Sequence, residues 1–187
     1  MPVFDYDPPE RFVAGAIGQP GSRAFFLQAR AAGRITTVGL EKFQVAVLAD
    51  RLEELLDEVL RRSGGRAPVP AIAPAELTDR APLDTPIDED FRVGTMALAW
   101  DPETSQVVIE AQEVTDEDDD EEFPGEDRPE PAVLRVRLSP GMARAFSKRA
   151  LEVVAAGRPP CPLCGQPLDA EGHICVRLNG HRPQEIR

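Results

Sequence analysis

The stretch Arg34-Ile-Thr-Thr-Val-Gly-Leu40, continuing as Glu41-Lys-Phe-Gln-Val-Ala-Val-Leu-Ala-Asp50 and on to Arg62, decides the fold, because its hydrophobic period changes partway through. Residues 34–40 are β-branched and alternate, the pattern of a half-buried strand. Beyond them Leu48, Leu52, Leu55, Leu56 and Val59 recur at helical spacing and form one apolar stripe. The spacing predicts a helix from about Glu41 to Arg62, stopped by Ser63-Gly-Gly65. Asp50, Arg51, Glu53, Glu54 and Asp57 flank the stripe as a solvated face. A strand feeding an amphipathic helix places sheet and helix in one core.

On the amino-terminal side, Phe12–Ile17 and Ala24–Ala29 read as two further strands, separated by the turn Gly18-Gln-Pro-Gly-Ser22. Phe25, Leu27 and Ala29 share one face of the second, with Phe26 and Gln28 on the other. The opening residues 1–10 read as a polar, proline-rich lead-in. On the carboxyl-terminal side the order recurs. Phe91–Trp100 is a strand, Asp101-Pro-Glu-Thr104 a type I turn, Val107–Val114 the next strand and Ala132–Leu138 a third. Leu134, Val136 and Leu138 point inward there, with Arg135 and Arg137 outward. Ser139-Pro140 is an N-cap followed by proline at the first helical position, and the helix it starts runs to about Ala156 before Gly157. It buries Met142, Phe146, Ala150 and Val153 or Val154.

Each half therefore reads β-β-β-α, and the expected class is α+β. Duplicated units build two three-stranded antiparallel sheets, or one six-stranded sheet, packed on two helices. The body spans 1–157, with halves at 11–65 and 91–157. Residues 66–90 carry prolines 68, 70, 74, 82 and 86 with Val69, Ile72, Leu77, Leu83 and Ile87 spaced among them. They read as an extended strap over the core. A small tail, 158–187, completes the chain.

The net charge of −12 is local. Eleven acidic residues and one basic residue, Arg128, lie between Glu113 and Glu130; without that segment 20 basic residues face 22 acidic ones, a net −2. The acidic loop, 115–130, falls at a hairpin tip where the first half has only Ala31-Ala-Gly33. Charge at this density predicts a solubilising loop that buries nothing. It lacks the alternating ligands and glycine of an EF-hand, which disfavours Ca²⁺. The acidic start is not a signal peptide, and no apolar run is long enough to span a bilayer. Three cysteines at metal spacing fit a reducing compartment, so the expected location is cytoplasmic, away from membranes.

All three cysteines and one of the two histidines fall in Cys161-Pro-Leu-Cys164-Gly-Gln-Pro-Leu-Asp-Ala-Glu-Gly-His173-Ile-Cys175. CxxC spacing lets two thiolates bind one metal from a tight turn. Cys175 and His173 complete a tetrahedral set, with His181 as the alternative to His173. This zinc-knuckle tail predicts structural Zn²⁺, since four protein ligands leave no position for water or substrate. The rest of the chain is poor in catalytic chemistry. It holds no P-loop, no GxGxxG and no GxSxG, and its carboxylates single out no pair. Asp84, Asp88, Glu89 and Asp90 cluster at the strap's end, where surface charge is the simpler reading than a metal site.

The tail 161–175, followed by Arg177 and Asn179-Gly180, resembles that of an actinobacterial family of unknown function bearing the number 3090. The resemblance extends to Phe12–Gly18 and to Val38-Gly-Leu-Glu-Lys42. The family tail reads GHxCPR and then NGYR; here Val176 replaces the proline and His181 stands at the tyrosine. Tyrosine at that place implies His173 as the fourth ligand. Members are encoded near a phosphomutase-like histidine phosphatase, which implies a shared process and names no activity. The leading expectation is a non-enzymatic binding or adaptor protein with an unknown protein partner. The alternatives are RNA or other nucleic-acid binding through the carboxyl-terminal helix and tail, and an enzyme or accessory acting with that phosphatase. From Ser139 to Arg187 seven basic residues (Arg144, Lys148, Arg149, Arg158, Arg177, Arg182, Arg187) face four acidic ones, a small surplus for phosphate.

The reading of the acidic loop makes a direct prediction. Replacing residues 116–127 with a short glycine-containing turn leaves the thermal midpoint nearly unchanged, since the loop contributes few contacts. A loss above about 1 kcal/mol in chemical denaturation would contradict it.

Overall fold

A computed structural model of the chain describes residues 2–115, 130–157, 161–165 and 175. The acidic run and most of the tail lie outside the described residues. The elements are β1 (Val3–Tyr6), β2 (Arg11–Ile17), β3 (Ala24–Ala31), β4 (Arg34–Leu40), α1 (Lys42–Arg62), β5 (Phe91–Asp101), β6 (Gln106–Glu113), β7 (Val133–Leu138) and α2 (Pro140–Ala155), with a single 3₁₀ turn at Ala75–Leu77. The strands form one sheet in the order β1-β7-β6-β5-β4-β3-β2.

Two expectations need correcting. The sheet has seven strands, because Val3-Phe-Asp-Tyr6 in the polar lead-in is an edge strand. Only one of its sides is paired, so a short alternating segment between prolines suffices. The sheet is also mixed rather than antiparallel: β1 pairs with β7 and β4 with β5 in parallel, and the other pairings are antiparallel.

Phe4 and Tyr6 turn inward, and the Tyr6 hydroxyl lies 2.7 Å from Thr36 Oγ1 on β4. In a flat sheet, four strand spacings would hold β1 and β4 about 19 Å apart. The sheet is therefore strongly curled around its core. The Arg34 guanidinium lies 4.7 Å from the Tyr6 ring centroid and donates to the Asp5 carbonyl, closing the same seam from outside.

The inner face buries Phe12 and Ala14 of β2, Phe25, Leu27 and Ala29 of β3, Val38 and Leu40 of β4, and the alternate positions of β6 and β7. Against it lie Val45, Leu48, Leu52 and Leu56 of α1, and Ala143, Phe146 and Ala150 of α2. The helices approach closely, since the buried Ser147 hydroxyl donates to the Ala49 carbonyl at 3.0 Å. The ring of Phe146 stacks on that of Phe12 at 4.6 Å. Ser139 caps α2 by accepting the Met142 N–H, an interaction that contributes about 1 kcal/mol.

The two half-sheets meet through two residue pairs, Val38↔Phe91 and Gly39↔Arg92. Beyond them β5 runs on past the end of β4, with a bulge between Val93 and Thr95. The chain leaves β4 at this place to start α1. The side chain of Gln44 fastens the divergence: its Oε1 accepts the Glu41 N–H, while its Nε2 donates to the carbonyls of Val93 and Gly94.

The strap crosses the other face of β2–β4. Leu83 sits on Gly15, where an added Cβ would lie 2.6 Å from Leu83 Cγ, so only glycine leaves it room. Gln28, 1% exposed, exchanges two hydrogen bonds with the Asp84 backbone. Arg11 donates to both Asp79 and Asp84 and to the carbonyls of Ala81 and Pro82. Arg149 reaches the same loop from α2, donating to Ala14, Asp79 and Ala81. The Arg11 hydrogen bond holds the Asp79 carboxyl below its ordinary pKa. A depressed carboxylate contributes stability that is full above its unfolded pKa, about 3.9, and is lost as pH falls through the lower folded value. Arg11→Met is accordingly expected to lower stability at neutral pH by roughly 1–3 kcal/mol, discounted for the partly exposed partners. The deficit should shrink below about pH 4. Urea unfolding across a pH series measures both; a deficit that does not vary with pH would assign the loss to packing alone.

Candidate metal centre

The described part of the tail begins at Cys161 and turns back on itself at Gly165. The Gly165 N–H donates to the Cys161 carbonyl at 2.8 Å, and Gly165 takes φ +74°, a left-handed conformation that glycine adopts without strain. This closes the CxxC turn. Cys175 arrives from outside the turn, with its Sγ 3.9 Å from that of Cys161. All three Sγ atoms lie within 4.8 Å of one another, and none is joined in a disulfide.

These distances suit a shared metal. Thiolates bound tetrahedrally at a Zn–S length near 2.3 Å would stand about 3.8 Å apart. Cys161 and Cys175 are buried, which shields the group from water, and Cys164 is half-buried. The Cys161 thiol is held below its ordinary pKa, first by the Cys164 backbone N–H and then by that of Leu163. Such N–H···S bonds favour the thiolate, the form that binds metal. Among the described residues this is the group of side chains that can hold a metal ion. The two histidines considered for the fourth position, His173 and His181, lie outside the described residues.

Three of the four carboxylates at the strap's end, Asp84, Glu89 and Asp90, make structural contacts. Asp84 is shared by Arg11 and Arg30, Asp90 exchanges backbone and side-chain bonds with Thr37, and Glu89 pairs with Arg92. Two of the three basic residues of α2, Arg144 and Arg149, are also committed. Arg144, 4% exposed, donates to the Pro70 carbonyl and pairs with Glu53 and Asp57 of α1. Arg149 is held by the strap as described above, and burial pushes its pKa down. Sequence reading missed these clamps because nothing in the spacing of an arginine reveals which distant carboxylate will meet it.

A family model described as a protein of unknown function (DUF3090) matches residues 4–175, a range that contains all three cysteines. No curated protein and no solved structure matches the chain. The thiol geometry can be tested with Co²⁺ added to the metal-free protein. Thiolate-to-metal charge-transfer absorption is expected to fall by roughly one third for each of Cys161→Ser, Cys164→Ser and Cys175→Ser. An unchanged spectrum in any variant would remove that cysteine from the ligand set.

Proposed function

The chain belongs to the DUF3090 family, and from that premise we propose that it is a non-enzymatic binding or adaptor protein with a structural zinc ion in its tail. Cys161, Cys164, Cys175 and His173 are the four ligands of this reading. The observation that carries it is the convergence of three thiols within 4.8 Å on a glycine-closed CxxC turn. Soft thiolates in a closed set suit zinc, which here would supply folding energy to a short segment and no reaction. His173 is favoured over His181 because the family match includes residue 173 and ends before 181. A reducing cytoplasm is the compartment in which thiols at this spacing stay unoxidised.

The body supports a binding role on different grounds. Asp79, Asp84 and Asp90 of the strap are engaged in clamps, and the element order β2-β3-β4-α1 followed by β5-β6-β7-α2 fits two related units. Nucleic-acid binding ranks below a protein partner. Arg144 and Arg149 are both engaged inside the fold, which leaves Lys148 as the exposed member of that trio on α2.

Metal analysis of the purified chain tests the proposal. About one zinc per chain is expected, lost in Cys161→Ser and in His173→Ala but kept in His181→Ala. The body should keep its thermal transition in each variant. Zinc retained by His173→Ala and lost in His181→Ala would move the fourth ligand; a metal-free wild-type protein would sink the proposal.

A further inference from the structure

The longest strand of the molecule is left half-paired. β5 bonds to β6 along its length, but its other edge meets β4 only at Phe91 and Arg92. Gln44 satisfies the carbonyls of Val93 and Gly94. From Thr95 to Trp100, among the described residues, no strand pairs with that edge. The segment is Gly94-Thr-Met-Ala-Leu-Ala-Trp100, with no charge and no proline. Natural sheets usually protect an open edge with charged residues, prolines or bulges. Here the bulge sits at the start of the segment, and the rest pairs with β6 in unbroken register.

Beside this edge runs a groove of about 610 Å³ between β5 and α1. Met96 and Leu98 line its β5 side, and Phe43 and Val47 its helical side. Phe43 is 66% exposed and Val47 50%, large apolar side chains on a helix whose other faces are buried or charged. An open ladder of backbone donors and acceptors, with a helix as the opposite wall, is the arrangement that takes up an extended peptide. The neighbouring charges are already paired, Arg51 with Glu54 and Glu58 with Arg61 and Arg62. The groove therefore selects an uncharged strand.

We propose that β5 is a strand-addition site, at which an extended segment of a partner protein pairs with Thr95–Trp100. The segment's alternate apolar side chains would lie against Phe43 and Val47. A single extended chain fits a slot bounded by a helix. The proposal gives the binding-protein reading its class of partner and rests on it in that sense, while using no residue of the metal tail.

The probe is a labelled peptide of about ten residues that alternates threonine and valine between terminal lysines, a length that spans the open edge. Its control is the same peptide N-methylated at alternate amides, which keeps the side chains and removes the ladder donors. The parent peptide is expected to bind the full-length protein and to slow amide exchange within residues 94–101. N-methylation should weaken it at least about 10-fold, as should Phe43→Ser combined with Val47→Glu. Both substitutions are at exposed positions, and circular dichroism confirms that the variant folds. The proposal is overturned if the parent peptide fails to bind at about 1 mM, or if its methylated twin binds equally well. Slowing confined to residues elsewhere would also overturn it. A dimer of the free protein that the double variant dissociates would assign the edge to a second copy instead. Metal content measured on the same samples separates the two readings. Peptide failure with zinc present removes this site alone, and peptide binding without zinc removes the structural zinc alone.

Discussion

Two backbone pairs, Val38↔Phe91 and Gly39↔Arg92, join the halves of this sheet, and much of the architecture follows from how short that junction is. A longer ladder between β4 and β5 would occupy the space into which α1 departs. Because pairing stops at Gly39, the chain can leave the sheet and carry α1 alongside the unpaired length of β5. Several groups secure the junction. Gln44 ties the helix start to Val93 and Gly94. Arg92 pairs with Glu41 on one side and Glu89 on the other. The Glu89 carboxylate packs over Gly39, 2.5 Å from where a Cβ would be, so a larger residue there would push that side chain aside. The strap, the helix and the strand all converge on this one place.

Three arginines do the remaining cross-bracing. Arg11 and Arg149 hold the strap from the sheet and from α2, with Asp79 between them, and Arg144 joins α2 to α1 and to Pro70. A buried guanidinium is stable only when carboxylates and carbonyls surround it, so each clamp fixes several segments at once. The same clamps change the meaning of the charge tally. Two of the seven basic residues counted toward a nucleic-acid surface, Arg144 and Arg149, are engaged inside the fold, and Asp79 and Asp84 are paired with arginine.

Much of this was legible in the sequence, and its illegible parts share a cause. The strand patterns of β2 to β7 and the 3.6-residue stripe of α1 are local signals, as are Ser139-Pro140 and the CxxC turn, and the observed elements follow them. β1 was missed because Val3-Phe-Asp-Tyr6 is short and acidic, and is held as a strand by β7, some 130 residues away. Tyr6 is 1% exposed because the sheet curls to bring Thr36 to it, which no local period encodes. The parallel junction and the arginine clamps are likewise contacts between distant segments. For the thiol cluster the CxxC spacing of Cys161 and Cys164 was legible, since such a turn brings its own thiols together; Cys175 joins them from outside that turn.

The most direct test of this account is residue-resolved hydrogen exchange on the free protein along β5. Successive amides of a strand point to opposite edges. Between Thr95 and Trp100, amides donated to β6 should therefore exchange slowly and the intervening ones quickly, an alternation that begins where pairing with β4 ends. Uniform slow exchange along the whole segment would mean that its second edge is already paired, and would contradict the short junction on which the account stands.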